Sequence, residues 1–297
     1  MSKKVRTAGI LSPGDMGHMV GQVLRGRGLR VITCLSGRSA RTHGLARKAQ
    51  IVEVDTHTEL VQQADVVLSI VAPDQAVRVA RAVAEALFET NENLLYVDCN
   101  AVAPETAKQI GSLITAAGGR FVDASIIGPP PRQPGATRFY ASGPHAAEFA
   151  RFTEFGLDVR VLSRTIGDAS AIKMCYAALT KGLAALCTEL LTAGQALGVG
   201  EALAQELQLS QPALYELTKR QLPGMPPKAR RWVGEMEEIA HTFGSIGLTP
   251  RMMDGAADMY RFVASTPLAN RTPEDPGPPP SQEQVIDELV QHLTGSE

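Results

Sequence analysis

The sequence predicts an α/β domain with a doubly wound, mostly parallel sheet, followed by an all-α domain entered through a long helix. Three observations carry that expectation. Short apolar runs alternate with helical patterns over residues 1–166, and strands alternating with helices imply a parallel sheet covered on both faces. After Ile166 only helical patterns remain. No proline lies between Pro144 and Pro212, and within that stretch Ile172, Cys175, Leu179, Leu183, Leu186, Leu190 and Leu197 recur at helical spacing.

The 297 residues suffice for two domains of ordinary size, 1–166 and 167–297, with a short hinge near 163–167. A hydrophobic content of 44% with 20% charged residues reads as soluble and globular. A net charge of −2 and few aromatic residues argue against nucleic acid or an anionic membrane as partner. No apolar run approaches the length of a bilayer span. The basic start, Met1 to Arg6, leads into an apolar segment broken by Ser12, Pro13 and Gly14, so it reads as a first strand and not as a signal peptide. Cys34, Cys99, Cys175 and Cys187 form no C-x-x-C pair and fall in apolar segments, as reduced core thiols of a cytoplasmic protein do. No two of the six histidines share a metal-ligand spacing, so no metal is expected.

Taken in order, Val5–Leu11 is a strand, followed at once by S-P-G-D-M-G and a helix running to Gly28. In the segment G-I-L-S-P-G-D-M-G (9–17), a small Ser12 permits the tight turn. Gly14 lets the backbone approach a pyrophosphate, and Gly17 allows close helix–strand packing. The helix N-terminus adds free N–H groups and a partial positive charge. Ser12, Pro13, Gly14, Asp15, Met16 and Gly17 therefore read as the phosphate turn of a Rossmann-type dinucleotide-binding domain. The second strand, Val31–Leu35, runs into S-G-R-S-A-R, and no acidic residue occurs between Asp15 and Glu53. An NAD site would place a carboxylate there for the ribose hydroxyls. Arg38, with Ser36, Ser39 and Arg41 nearby, can instead fork onto a 2′-phosphate, so NADP(H) is the expected cofactor.

A short strand at Gln50–Val54 and a short helix at Thr58–Gln63 come next. Then V-V-L-S-I-V-A-P, a continuous apolar run of the kind buried parallel strands show, ends at Val71, Ala72 and Pro73. A helix through Leu87 and a strand at Leu94–Val97 ending in D-C-N follow. The remaining expected elements of this half are a helix at Glu105–Ala117, strands at Arg120–Ala124 and Arg138–Ser142, a helix at Pro144–Phe155 and a strand at Val159–Ser163. Ligands of such sheets sit at the carboxyl ends of the strands, so Val71, Ala72, Pro73, Asn100 and the loop 125–132 are expected at the cofactor. Helices are predicted over Gly167–Val199, Gly200–Leu209, Ala213–Arg220, Lys228–Ile246, Pro250–Val263 and Ser281–Leu293, with a stiff proline-rich connector at 273–280. The first of them, capped by Asp168 or Ser170 and ended by Gly198 or Gly200, is apolar nearly all round and reads as a buried spine. Lys173 lies near its start, with Tyr176 and Thr180 on the same face.

The order of G-I-L-S-P-G-D-M-G, D-A-S-I-I-G-P-P (123–130) and G-D-A-S-A-I-K (167–173) resembles the β-hydroxyacid dehydrogenases. That group includes 3-hydroxyisobutyrate dehydrogenase and the cofactor half of 6-phosphogluconate dehydrogenase, and imine reductases share its architecture. The segments 228–240 and 247–261 resemble the C-terminal domain of a 6-phosphogluconate-dehydrogenase-like branch. The resemblance implies NADP(H)-dependent hydride transfer to or from a small-molecule hydroxyacid or carbonyl, with Lys173 as general acid/base. It places Tyr176 where the family commonly has Asn, and draws substrate contacts from Ser125, Ile127, Gly128, Arg132 and Trp232, with Arg231, Glu235 and His241 also near. It further implies a homodimer formed through the helical domain. Small-acid relatives carry Ser-Gly-Gly where this chain has Ile127-Gly128-Pro129, which removes a hydroxyl and a backbone N–H and implies a different or bulkier substrate. Imine reductases usually replace the lysine, so Lys173 argues against that alternative; a non-catalytic NADPH-binding protein is the third reading.

Overall fold

Five consecutive buried residues, Thr7–Leu11, form β1, and the chain then alternates helix and strand. The order is α1 (Gly17–Gly26), β2 (Arg30–Cys34), α2 (Ala40–Lys48), β3 (Val52–Val54), α3 (His57–Gln63), β4 (Val66–Ser69), α4 (Pro73–Thr90), β5 (Leu95–Asp98) and α5 (Pro104–Ala116). It continues through β6 (Arg120–Ile127), β7 (Arg138–Ser142), α6 (Ala146–Ala150) and β8 (Asp158–Ser163). The computed structural model describes residues 5–272, 275 and 278–294, so half of the predicted 273–280 connector lies outside the described residues. The eight strands lie in the order β3-β2-β1-β4-β5-β6-β7-β8, parallel throughout except where β6 meets β7.

Alternate residues of each strand feed two cores. On one face Ile10, Leu68, Val97, Val122 and Phe139 pack with Val20 and Leu24 of α1 and with Phe149 and Phe152. On the other, Leu11, Val67, Tyr96 and Phe121 pack with Leu60 of α3, Val79, Ala80 and Val83 of α4, and Ile110 and Ile114 of α5. Each such side chain contributes about 1.5–3 kcal/mol on burial, so the sheet is the stable frame that the loops at its carboxyl edge rely on.

Three elements differ from expectation, the first being α2, a helix where none is predicted between the second and third strands. The helix expected at Pro144–Phe155 is α6 followed by a 3-10 segment, Arg151–Phe155, that ends at Gly156 in the left-handed region. Strand β6 runs on to Ile127, because antiparallel pairing of Ser125 with Tyr140, Ile126 with Phe139 and Ile127 with Arg138 extends it. The first three residues assigned to a substrate loop are therefore strand.

The chain divides into two compact units, Met1–Met174 and Cys175–Glu297. The expected hinge near 163–167 and this division differ because the first turns of α7 (Asp168–Ala196) are bonded to the sheet. Neither Asp168 nor Ser170 caps that helix as expected. Asp123 of β6 accepts from the backbone of Gly167 and Ser170, while the Asp168 carboxylate accepts from Ser163 Oγ. The buried side of α7 carries small residues, among them Ala177, Ala184, Ala185, Cys187, Thr188 and Thr192. Leu179 and Leu186 of the predicted apolar stripe are exposed, as is Cys175, so the expectation of a helix buried all round and of four core thiols does not hold. By length and composition α7 is also long and apolar enough to cross a membrane, which corrects the expectation that no such run exists. Its best window has a mean hydropathy of 1.3, and 39% of that window is buried.

In the second unit α8 (Gly200–Ser210), α9 (Pro212–Gln221), α10 (Ala229–Ser245), α11 (Arg251–Ser265) and α12 (Gln282–Thr294) follow. Met236 and Ile239 of α10 and Met253, Ala257 and Tyr260 of α11 are its core. A buried Lys181–Glu235 ion pair and a bond from Tyr260 OH to the Lys181 carbonyl (2.6 Å) tie α7 to both helices.

Candidate active site

The turn between β1 and α1 is shaped by its own backbone. Ser12 adopts φ 61°, a left-handed conformation, and its carbonyl accepts from Gly14 N at 2.8 Å. A Cβ on Gly17 would stand 2.5 Å from that same carbonyl, so only glycine lets α1 start this close to β1. Gly14 is different. Nothing lies within 4 Å of a Cβ built there, so packing does not demand glycine, and the open space suits a close-lying phosphate. His18, buried, donates from Nδ1 to the Gly14 carbonyl (2.7 Å) and pins the turn; nothing in the spacing of histidines had marked it. Asp15 pairs with Arg41 at 2.5 Å.

At the end of β2, Ser39 is the N-cap of α2, accepting from Thr42 N, and Ser36 is exposed. Arg38 is half-buried, and its pKa is lowered by burial and by the charge of Arg78 on α4. His57, the first residue of α3, is lowered by burial and then by Arg38 and Arg78. Among the described residues no carboxylate pairs with Arg38 or His57. Cations gathered without a counter-charge are unfavourable unless an anion joins them. His57 and Arg78 were invisible in the motif, because they come from two other elements that the sheet order brings beside β2.

The carboxyl ends of β4 and β5 are clasped together. Asn100 Oδ1 accepts from Val71 N (2.7 Å), its Nδ2 donates to Ser69 Oγ (3.0 Å), and its backbone N donates to Asp98 Oδ1 (2.9 Å). Asn100 thus shapes the Val71–Ala72–Pro73 edge, and Pro73 opens α4. On β6, Asp123 accepts from Ser142 Oγ, Gly167 N, Ser170 N and Ser170 Oγ, all buried. Burial raises its pKa, opposed by the bonds from Ser170, Ser142 and Gly167. One turn along α7, Lys173 Nζ donates to the Ile126 carbonyl at 2.8 Å. The lysine is therefore held at the carboxyl edge of the same sheet.

Other predicted contacts are placed differently. Ser125 is fully buried, its hydroxyl without a hydrogen-bond partner among the described residues, and Ile127 is 4% exposed. Gly128, at φ 121°, is required by the loop itself, since a Cβ there would meet the Ala136 carbonyl at 2.1 Å. Pairing with β7 buries the Ser125 and Ile127 side chains, and loop closure fixes Gly128. Arg132 is exposed and lines a cavity of about 630 Å³ with Met19, Gln22 and Val23 of α1. Tyr176, 45% exposed, and Trp232 belong to the second unit. There Trp232 packs edge-on against Tyr260, with Lys181 and Lys228 over its ring, as a core aromatic does. Glu235 is committed to Lys181 and Arg231.

Comparison with known proteins bears on this arrangement. Residues 7–155, half the chain, match the NAD-binding domain of 6-phosphogluconate dehydrogenase, and residues 195–263 match a domain of unknown function, DUF1932. A conserved protein of unknown function, described for its structural similarity with 3-hydroxyacid dehydrogenases, is 32% identical. The match covers 86% of this chain and 97% of that one, with a TM-score of 0.64. The chain belongs to the β-hydroxyacid dehydrogenase-like family. An uncharacterized 28.5 kDa protein of Methanothermus fervidus is 28% identical over 86% of this chain and 98% of its own length. Mycobacterium tuberculosis 3-hydroxyisobutyrate dehydrogenase, solved with L-serine, shares the fold at 17% identity and a TM-score of 0.67, over 98% of this chain and 99% of that one. As a member of the β-hydroxyacid dehydrogenase-like family the chain carries a nicotinamide dinucleotide-binding domain in its first unit.

Proposed function

We propose that this protein is a soluble, cytoplasmic NADP(H)-dependent oxidoreductase of the hydroxyacid dehydrogenase type. Lys173 acts as general acid/base in hydride transfer between the nicotinamide and a hydroxyacid or its carbonyl counterpart. The observation that carries the reading is Lys173 Nζ, held on the Ile126 carbonyl at the carboxyl edge of a sheet whose first turn suits a dinucleotide. The bound nicotinamide supplies or accepts the hydride. The chain must move the accompanying proton, and the Lys173 ammonium can give a proton to a forming alkoxide. As a neutral amine it takes the hydroxyl proton in the reverse direction. Tyr176, three residues on, is the candidate to orient the substrate oxygen.

The preference for NADP over NAD is supported by Arg38, His57 and Arg78 gathered without a carboxylate. Arg38→Ala is expected to weaken NADPH binding by about 10- to 100-fold, in line with roughly 1.5–3 kcal/mol for a charge-assisted bond, and to leave NADH binding unchanged. Titration of both nucleotides against both proteins checks this, and tighter NADH than NADPH binding by the unmodified protein overturns the cofactor assignment. Screening hydroxyacids, aldehydes and cyclic imines with NADP(H) tests the reaction. Turnover of imines alone transfers the assignment to imine reduction, and binding without turnover to a non-catalytic role.

We also infer a homodimer through the helical unit. Its support is the apolar surface of Leu179 and Leu186 on α7 with Ile246, Leu248 and Met252, each more than half exposed. Sedimentation equilibrium at micromolar concentration is expected to return twice the chain mass of 31.6 kDa, and a single-chain mass at all concentrations overturns the inference.

A further inference from the structure

Strand register sets Ser69, Asp98, Asp123 and Ser142 side by side across four neighbouring strands. Two of the four are carboxylic acids, and both are 1% exposed. They are treated very differently. Asp123 has four donors, whereas Asp98 has the Asn100 backbone on Oδ1 and, among the described residues, no partner for Oδ2. Nearby on the same strand face, the buried Tyr96 hydroxyl meets Ser69, which already takes the Asn100 amide. The helices covering this face offer no relief, since α4 and α5 present Ala76, Val79, Ala80, Val83, Ala107 and Ile110 to it. A buried carboxylate met by a single residue, Asn100, with a second acid beside it is poorly stabilised; a neutral carboxyl is not.

We propose that Asp98 is a positioning residue that works as the neutral acid: protonated, it holds the Asn100 clasp and with it the Val71–Pro73 edge of the cofactor groove, and its ionisation loosens that edge and releases the cofactor. The inference rests on the reading that this edge lines the nicotinamide cofactor. Asp98 is the base of a short chain of contacts. Asp98 Oδ1 fixes the Asn100 backbone, and the Asn100 side chain fixes Val71 N and Ser69 Oγ. The Asp98 carboxyl is pushed up to about 7, first by burial and then, against the pull of the Asn100 N–H, by Asp123. The other titratable groups beside it are Tyr96 of its own strand and Cys99 just past the strand's end, both raised far enough by burial to stay neutral through this range. Asp98 is therefore neutral below about pH 7 and charged above it. Once charged, it must recruit water or turn away from Asp123, and either movement drags the Asn100 backbone with it.

The test is the dissociation constant of NADPH between pH 5.5 and 9 for the full chain and for Asp98→Asn and Asp98→Ala. In the unmodified protein the constant should be flat at the acid end and rise about tenfold across neutrality. NADH should show the same rise, since it has no 2′-phosphate for His57 to meet. Asp98→Asn, a fixed neutral mimic with an acceptor for Asn100 N, should bind at the acid-end value over the whole range. Asp98→Ala should bind weakly at every pH. A neutral-pH rise that survives in Asp98→Asn overturns the proposal, as does Asp98→Asn binding as weakly as Asp98→Ala at pH 6. If the variants do not fold, the unmodified protein still decides. Its infrared difference spectrum should show a protonated carboxyl at pH 6 that is lost by pH 9, and a carboxyl signal unchanged over that span overturns it. Affinity for both nucleotides that is flat with pH sinks this inference alone, whereas failure to bind either at any pH sinks the cofactor reading with it.

Discussion

Lys173→Ala is expected to lower kcat by about 10²- to 10⁴-fold, the usual contribution of a positioned general acid or base, with NADPH affinity nearly unchanged. The asymmetry follows from where the side chain is spent. Its Nζ is bonded to the Ile126 carbonyl, at the end of β6. Losing it costs about 1.5–3 kcal/mol at most, a shift of a few degrees in Tm that leaves the protein folded at assay temperature. Lys173→Arg sharpens the test. A guanidinium keeps the charge and can reach the carbonyl, but near neutrality it neither gives a proton to an alkoxide nor, already protonated, takes one from a hydroxyl, so both directions should suffer much as in Lys173→Ala. Steady-state rates in both directions, with whichever hydroxyacid or carbonyl the screen turns over, check both variants. A Lys173→Ala enzyme with a near-normal rate would remove the lysine from the chemistry.

Much of the frame was legible because its signals are local. The glycine turn at 9–17 is announced by residues whose space requirements are visible in order, and the structure returns the reason for Gly17 as a 2.5 Å clash with Ser12. The alternation of apolar runs with helices named every strand of the sheet to within a few residues. What could not be read locally depends on strand register. Asp98 and Asp123 are twenty-five positions apart, and each could be a solvated strand end; only the pairing of β5 with β6 makes them neighbours. The cap of α7 shows the same limit. Asp168 and Ser170 have the right identity and position for a local cap, yet Asp123, which reaches in from the sheet, outcompetes them because it is already buried against both donors. The apolar stripe of α7 misled for a related reason. Periodicity counts large side chains, but a helix packed closely buries its small ones and leaves leucines such as Leu179 and Leu186 outward.

Asp123→Ala is the substitution expected to cost most stability, about 3–5 kcal/mol. Four donors converge on this carboxylate, and alanine leaves all four buried without an acceptor. An unmatched buried donor costs about 1–3 kcal/mol, but the four share one relaxation, so the sum is less than additive. At roughly 2–4 °C per kcal/mol for a unit of this size, thermal unfolding should move down by about 8–15 °C. Asp123→Asn separates charge from shape. Oδ2 accepts from Ser142 Oγ, Gly167 N and Ser170 N, while Oδ1 accepts only from Ser170 Oγ, a hydroxyl that can rotate to accept instead. An asparagine with its oxygen at the Oδ2 position therefore satisfies every group, and should recover most of the lost stability. Because Gly167, Ser170 and Lys173 share the first turns of α7, activity should follow the cap. Asp123→Asn should keep most of the rate, and Asp123→Ala should lose more than its folded fraction explains. If both variants unfold at the same temperature, the side chain serves by its charge alone and the cap geometry argued from these four bonds is wrong.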